Sequence, residues 1–300
     1  MFAVSDIAAG VAVGNFLNLA KTISQIENQV EGTDAYLMQL EPKPIPVVGI
    51  TGPPGAGKST LISALVGAWI KAGHKVAVLS VDPSSPFHKG AILGDRIRMK
   101  DWYLHPQVFI RSLASRGHLG GLNSSMIALT TLLQSVGFDK IIVETVGVGQ
   151  SEVEVASLAD TTVVVLVPEA GDEVQMMKSG LMEVADVFVV NKSDRPDATT
   201  FTNHIRQMIM ENGVDEKLVK VIPAIASQGV GISDLAEAID AHQIAHSQLG
   251  ANKKLVLAKV VQLIVAHKMR QIDLVKMEQA LDEAILKSGF NIFSFTKKYY

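Results

Sequence analysis

The residues with the clearest chemical capacity are Gly52-Pro53-Pro54-Gly55-Ala56-Gly57-Lys58-Ser59-Thr60, which fit G-x-x-x-x-G-K-[ST]. An apolar run, Ile45 to Thr51, precedes them and a helix-like segment, Leu61 to Lys71, follows. That context turns a pattern into a phosphate site. The glycines let successive backbone N–H groups turn inward around phosphate oxygens. The following helix adds the positive end of its dipole. Lys58 is expected to reach the β/γ-phosphates, and Ser59 to place its hydroxyl on Mg²⁺.

A second pattern, Asn191-Lys192-Ser193-Asp194, follows the apolar run Val187–Val190 and fits N-K-x-D. Asp194 can accept from N1–H and the exocyclic amine of guanine, a donor pair that adenine lacks. A site built for such bonds discriminates by about 10⁴-fold or more. Asn and Asp also cap helices, which is the plainer use of these residues.

Carboxylates stand at two further strand ends. Ile141-Ile142-Val143-Glu144 runs into Thr145-Val146-Gly147. Glu144 there suits Mg²⁺, directly or through water, and the Gly147 amide is placed to contact a γ-phosphate. Val148 follows, where Ras-like GTPases carry a water-orienting Gln, so slow intrinsic hydrolysis is expected. Val81-Asp82-Pro83 ends another strand; Asp82 is read as supporting Mg²⁺ or activating water, or as a turn former before proline. In Lys89 to Met99, charges interleave with glycines. Asp95 is a candidate metal-sensing residue and Arg96 a candidate phosphate contact, unless the stretch is a solvated helix start.

The surrounding chain must position these groups. Strands are expected at Val47–Thr51, Val76–Val81, Val108–Arg111, Lys140–Val143, Thr162–Val167, Val187–Val190 and Leu218–Ile222, with helices at 59–72, 122–136, 172–184, 199–211 and 232–246. Near-continuous Val/Ile/Leu runs fit strands buried on both faces. The alternation predicts an α/β fold, a mostly parallel sheet flanked by helices, with ligands at the strand carboxyl ends. Residues 1–44 read as an N-terminal helical extension, 45–248 as the phosphate-binding domain and 249–300 as a C-terminal helical arm. Glu41-Pro-Lys-Pro-Ile-Pro46 is a stiff linker. The apolar positions of 252–289 need cover, either on the domain itself or on a second subunit. The tail Lys297–Tyr300 is expected to fray.

Composition narrows the classes. The 300 residues are 48% hydrophobic with a formal charge of −3, so bulk charge recruits neither nucleic acid nor an anionic membrane. The absence of cysteine excludes disulfides, zinc–thiolate sites and thiol nucleophiles. His88, His105 and His118 show no metal-ligand spacing, and Met176, Met177 and Met182 read as helix core. No apolar run approaches membrane-span length and no basic segment opens the chain, so a cytoplasmic location is expected, or the mitochondrial matrix in a eukaryote.

Taken together, these stretches resemble the MeaB/ArgK/MMAA-type GTPases of the SIMIBI class of P-loop proteins. The resemblance rests on Gly52–Thr60, Val81–Ser85, Gly90–Met99, Phe109–Gly121, Glu144–Glu152 and Lys178–Asp186 running into Asn191–Asp194, with Leu19–Asn28 similar to the family's N-terminal helix. It implies a GTPase that gates adenosylcobalamin loading into methylmalonyl-CoA mutase or a related acyl-CoA mutase, and protects or reactivates it. It implies GTP/GDP and Mg²⁺ as ligands, and a homodimer joined through the C-terminal helices. Lys58 and Ser59 would bind phosphate and Mg²⁺. Asp82, Asp95 and Glu144 would be the Mg²⁺ and switch carboxylates, and Asn191, Lys192 and Asp194 would read guanine. Residues 171–183 would form a third switch containing Lys178. Where many GTPases carry Ser-Ala on the base side, Ile225-Ala226-Ser227 stands here; the Ala226 amide is expected to meet the guanine carbonyl. The rivals are a P-loop kinase or transport-linked ATPase, which N-K-x-D disfavours, and a nickel-type metallochaperone GTPase, which the absence of cysteine disfavours.

Overall fold

The computed structural model describes residues 1–82, 99–114, 124–145, 155–168, 180–211, 219–248, 253–286 and 289–299. The described strands are β1 (Val47–Thr51), β2 (Val76–Asp82), β3 (Val108–Ala114), β4 (Lys140–Glu144), β5 (Thr161–Leu166), β6 (Val187–Val190) and β7 (Lys220–Pro223). They form one parallel sheet in the order β3-β2-β4-β1-β5-β6-β7. The expected parallel α/β sheet is therefore what forms, with small shifts at strand ends. Because every strand runs the same way, Thr51, Asp82, Glu144, Val190 and Pro223 all lie along one carboxyl edge.

Alternation along each strand divides the core between two faces. Val47, Leu79, Phe109 and Ile141 pack on one face against α1 (Val4–Ala12), α2 (Leu17–Glu27) and α5 (Ser124–Ser135). Val48, Ile50, Val78, Ile142 and Val165 turn to the other, against α4 (Lys58–Lys71) and α8 (Ile232–Gln248). Val164, Phe188 and Val190 meet α6 (Leu181–Val184) and α7 (Ala198–Glu211). Both faces are buried, which is why these strands read as continuous apolar runs rather than alternating ones. Of the helix expected at 172–184, only Leu181–Val184 falls within the described residues, after a left-handed Gly180.

The N-terminal helices, which include α3 (Thr33–Leu37), share the sheet's core. Phe16 stacks near Phe109 and Phe138, at centroid distances of 5.5 and 6.1 Å. Glu27 pairs with Arg111 of β3 at 2.6 Å. The proline-rich linker is fastened to α5: Lys43 N donates to the Gln134 carbonyl, and Gln134 Nε2 donates to the Ile45 carbonyl.

The chain divides into two compact units, Met1–Asn252 and Lys253–Tyr300. The second holds α9 (Lys253–Arg270), α10 (Leu274–Ile285) and α11 (Ile292–Thr296). Asp273 and Asn291 cap α10 and α11 through their side-chain oxygens. The tail differs from expectation. Phe295 is buried, and its ring lies 5.5 Å from that of Tyr299 and 5.5 Å from the Lys298 ammonium. Backbone bonds from Lys298 and Tyr299 continue the turn. Aromatic contacts hold a segment that sequence position alone suggested would fray.

Candidate nucleotide site

The site grows from the end of β1, where the chain must turn sharply into α4. Gly52 has φ 139°, and a Cβ there would lie 2.0 Å from the Val165 carbonyl oxygen. Gly57, at φ 88°, caps α4, and a Cβ there would lie 2.4 Å from Asn191 Nδ2. These two positions need glycine for space as well as conformation. Pro53 and Ala56 are buried, whereas Pro54, Gly55 and Thr60 face solvent. The loop thus presents the helix N-terminus outward, the arrangement that suits phosphate.

Lys58 opens α4 and folds back over the loop. Its Nζ donates to the Gly52 carbonyl at 2.7 Å and the Pro53 carbonyl at 3.1 Å, and the residue is buried. The ammonium is therefore held over the loop's own backbone. Ser59 Oγ donates to Glu144 Oε1 at 2.7 Å, and Ser80 Oγ donates to Glu144 Oε2 at 3.0 Å. Thr145 Oγ1 donates to Thr51 Oγ1 at 2.9 Å, tying the ends of β4 and β1 together. A buried carboxylate requires such donors, and both serines come from neighbouring elements along the carboxyl edge.

The base-side motif is locked to the phosphate loop. Asn191, buried at the end of β6, donates from Nδ2 to the Ala56 carbonyl at 2.8 Å and accepts at Oδ1 from Ala226 N at 3.1 Å. This pair of contacts fixes the orientation of the amide. Lys192, at φ 56°, donates from Nζ to the Gly55 carbonyl at 2.9 Å. Ser193 N donates to the Ala224 carbonyl, and Ile225 pairs with Val230 in a short antiparallel bridge that closes the following loop. Asp194 is exposed beside them, where its carboxylate can meet a ligand.

The structure thus brings Lys58, Ser59 and Glu144 together, and joins Asn191, Lys192 and Ala226 to the same loop. The Ala226 amide, expected to meet the guanine carbonyl, donates here to Asn191 Oδ1. The backbone of Asp82 closes β2, and its side chain lies outside what is described. Asp95, Arg96, Gly147, Val148 and Lys178 lie outside the described residues. Among the described residues no three His, Asp or Glu side chains converge as a metal centre. Mg²⁺ takes few protein ligands and shares substrate phosphates, so Ser59 with a nearby carboxylate is a fitting oxygen set. No helix among the described residues is long and apolar enough to cross a membrane.

Sequence reasoning missed Ser80 and the Thr51–Thr145 pair. For Ser80 a signal existed: one hydroxyl interrupts the apolar run Val76-Ala77-Val78-Leu79 before Val81, in a strand otherwise buried.

Comparison with known proteins extends over the same elements. Residues 19–280 match the family described as methylmalonyl Co-A mutase-associated GTPase MeaB. A protein of Pyrococcus horikoshii named as a GTPase is 42% identical over 246 residues, spanning 80% of this chain and 78% of that protein. The GTPase ArgK of Escherichia coli is 39% identical over 237 residues, 75% of this chain and 72% of its own length. Among solved structures, that of a LAO/AO transport system kinase superposes with a TM-score of 0.65 at 25% identity, covering 99% of this chain and 96% of that one.

Proposed function

Since this chain belongs to the MeaB family of GTPases, we propose that it uses GTP to gate adenosylcobalamin loading into a methylmalonyl-CoA mutase or related acyl-CoA mutase, and to protect or reactivate that enzyme. GTP hydrolysis is its reaction and guanine nucleotide its ligand. The observation that carries the client assignment is the mutase-associated GTPase match across residues 19–280, which spans both the phosphate loop and N-K-x-D.

The site residues divide the work. Loop N–H groups from Gly55 to Ser59 hold phosphate oxygens, with Gly52, Pro53 and Pro54 shaping the turn, and the Lys58 ammonium exchanges its loop carbonyls for β/γ-phosphate oxygens. Ser59 donates its proton to Glu144, which leaves the hydroxyl lone pairs for Mg²⁺. Asp82, Asp95 and Glu144 would supply carboxylates for that ion, directly or through water. Bound Mg²⁺ would neutralise charge developing on the transferred phosphoryl group. Asp194 reads the guanine edge. Asn191 keeps the base-side loop in register with the phosphate loop, and Ala226 serves through that contact. Gly147 senses the γ-phosphate, and Lys178 relays nucleotide state to the client.

A homodimer through the C-terminal arm accounts for the character of α9. Val256, Leu257, Val260, Val261, Ile264 and Val265 are all exposed, and none of the helix's residues is buried. A helix apolar on so many sides requires cover. We place the protein in the cytoplasm, or in the mitochondrial matrix if the source is eukaryotic.

The test of the client assignment is reconstitution. Apo-mutase from the same source is supplied with adenosylcobalamin and this protein, with GTP, with a non-hydrolysable analogue, or with Lys58→Ala protein. Cofactor loading that depends on the nucleotide and on Lys58 supports the proposal; loading indifferent to both removes it. A second reading, a kinase, takes its support from the superposable LAO/AO transport system kinase. Transfer of the γ-phosphate from labelled nucleotide to an acceptor other than water would favour it.

A further inference from the structure

We propose that Ser80 is a positioning residue for the Mg²⁺–nucleotide site, acting through Glu144. The inference rests on the reading of Ser59 and Glu144 given above. Ser80 in β2 is the direct register partner of Glu144 in β4. Its hydroxyl donates to Glu144 Oε2 at 3.0 Å, while Oε1 accepts from Ser59 at 2.7 Å. Ser80 is 1% exposed and Ser59 and Glu144 are 5% exposed.

Burial makes the geometry consequential. At 1% exposure Ser80 cannot touch a ligand, so any influence on the site passes through Glu144. The last torsion of a glutamate side chain is broad and only roughly two-fold. Each donor on a carboxylate oxygen restrains rotation of the plane about that torsion. Ser59 and Ser80 do so on opposite oxygens. With the plane fixed, Oε1 receives the Ser59 proton from one direction, and the lone pairs of Ser59 keep one direction for a cation. Flanking residues Val78 and Leu79 are apolar core, so removing the Ser80 hydroxyl supplies no replacement donor from the same strand.

The experiment is a Mg²⁺ titration of fluorescent GDP binding, read without turnover. Ser80→Ala is expected to raise the half-saturating Mg²⁺ concentration by about tenfold, with nucleotide affinity in EDTA unchanged. Ser80→Thr, which keeps the hydroxyl, is expected to restore the wild-type value. In a Glu144→Ala background, Ser80→Ala is expected to add nothing. The proposal is overturned if Ser80→Ala titrates as wild type, or if its effect persists undiminished without Glu144. Wild-type protein that binds no guanine nucleotide would overturn the parent reading along with it, so the two failures are distinguishable.

Discussion

Asn191 Nδ2 lies 2.8 Å from the Ala56 carbonyl, so a side chain at the end of β6 holds the backbone of the loop that leaves β1. The same amide accepts from Ala226 N at 3.1 Å. Phosphate loop, N-K-x-D motif and base-side loop are thereby three parts of one rigid frame. A ligand touching phosphate and base together meets a surface whose parts are already in register, which reduces the ordering cost of binding.

Removing that link has a defined cost. Asn191→Ala leaves the Ala56 carbonyl and the Ala226 N–H without their partner in a buried place. A destabilisation of about 3 kcal/mol is expected, measured by denaturant unfolding. Weaker binding of both GTP and GDP is expected with it. Unchanged stability would show that water replaces the amide fully.

The loop glycines are predicted to differ from one another. Gly52→Ala places a Cβ against the Val165 carbonyl oxygen, at a backbone angle unsuited to alanine. Gly55, at φ 81°, has nothing within 4 Å of its built Cβ. Gly52→Ala is expected to cost about 3 kcal/mol and to shift the loop, whereas Gly55→Ala costs about 1 kcal/mol from conformation alone. Thermal unfolding of the two variants side by side checks the order.

These contacts mark how far the sequence could be read. The phosphate loop was legible because its glycines, Lys58 and Ser59 are consecutive and flanked by a strand and a helix. The central strands β1, β5 and β6 were legible because burial on both faces leaves continuous apolar runs. The Asn191–Ala56 bond was not, since it joins residues far apart in the chain and only the β1-β5-β6 adjacency brings them together. Ser80 stands out as the one hydroxyl in an apolar run, but its role is legible only once the β2–β4 register sets it opposite Glu144. The aromatic packing of Phe295 and Tyr299 likewise depends on contacts that the final residues alone do not announce.

Apolar exposure on α9 makes oligomeric state a direct prediction. Val260 and Ile264 are 43% and 56% exposed and lie one helical turn apart. The double variant Val260→Glu/Ile264→Glu is expected to shift a dimer to a monomer in size-exclusion chromatography with light scattering. Wild-type protein that is monomeric at micromolar concentration would remove the arm's proposed role.

Alkaline pH should reveal Tyr36. Its Oη is buried without a hydrogen-bond partner, and burial pushes the phenol above its ordinary value. The folded state therefore retains a proton that the unfolded chain releases near about pH 10. Stability from this group is complete below that pH and is lost as pH rises through the folded value. Tyr36→Phe is expected to flatten that part of the stability–pH curve. At neutral pH it is expected to be neutral or slightly stabilising, because an unpaired hydroxyl is removed.

The most direct test of the central claim is nucleotide turnover by the purified protein, alone and with an adenosylcobalamin-dependent methylmalonyl-CoA mutase from the same source. The account predicts slow hydrolysis specific for GTP, accelerated by the mutase, and reduced about 10²-fold by Lys58→Ala. Preference for ATP would contradict the role given to Asp194, and GTP turnover indifferent to the mutase would contradict the client assignment.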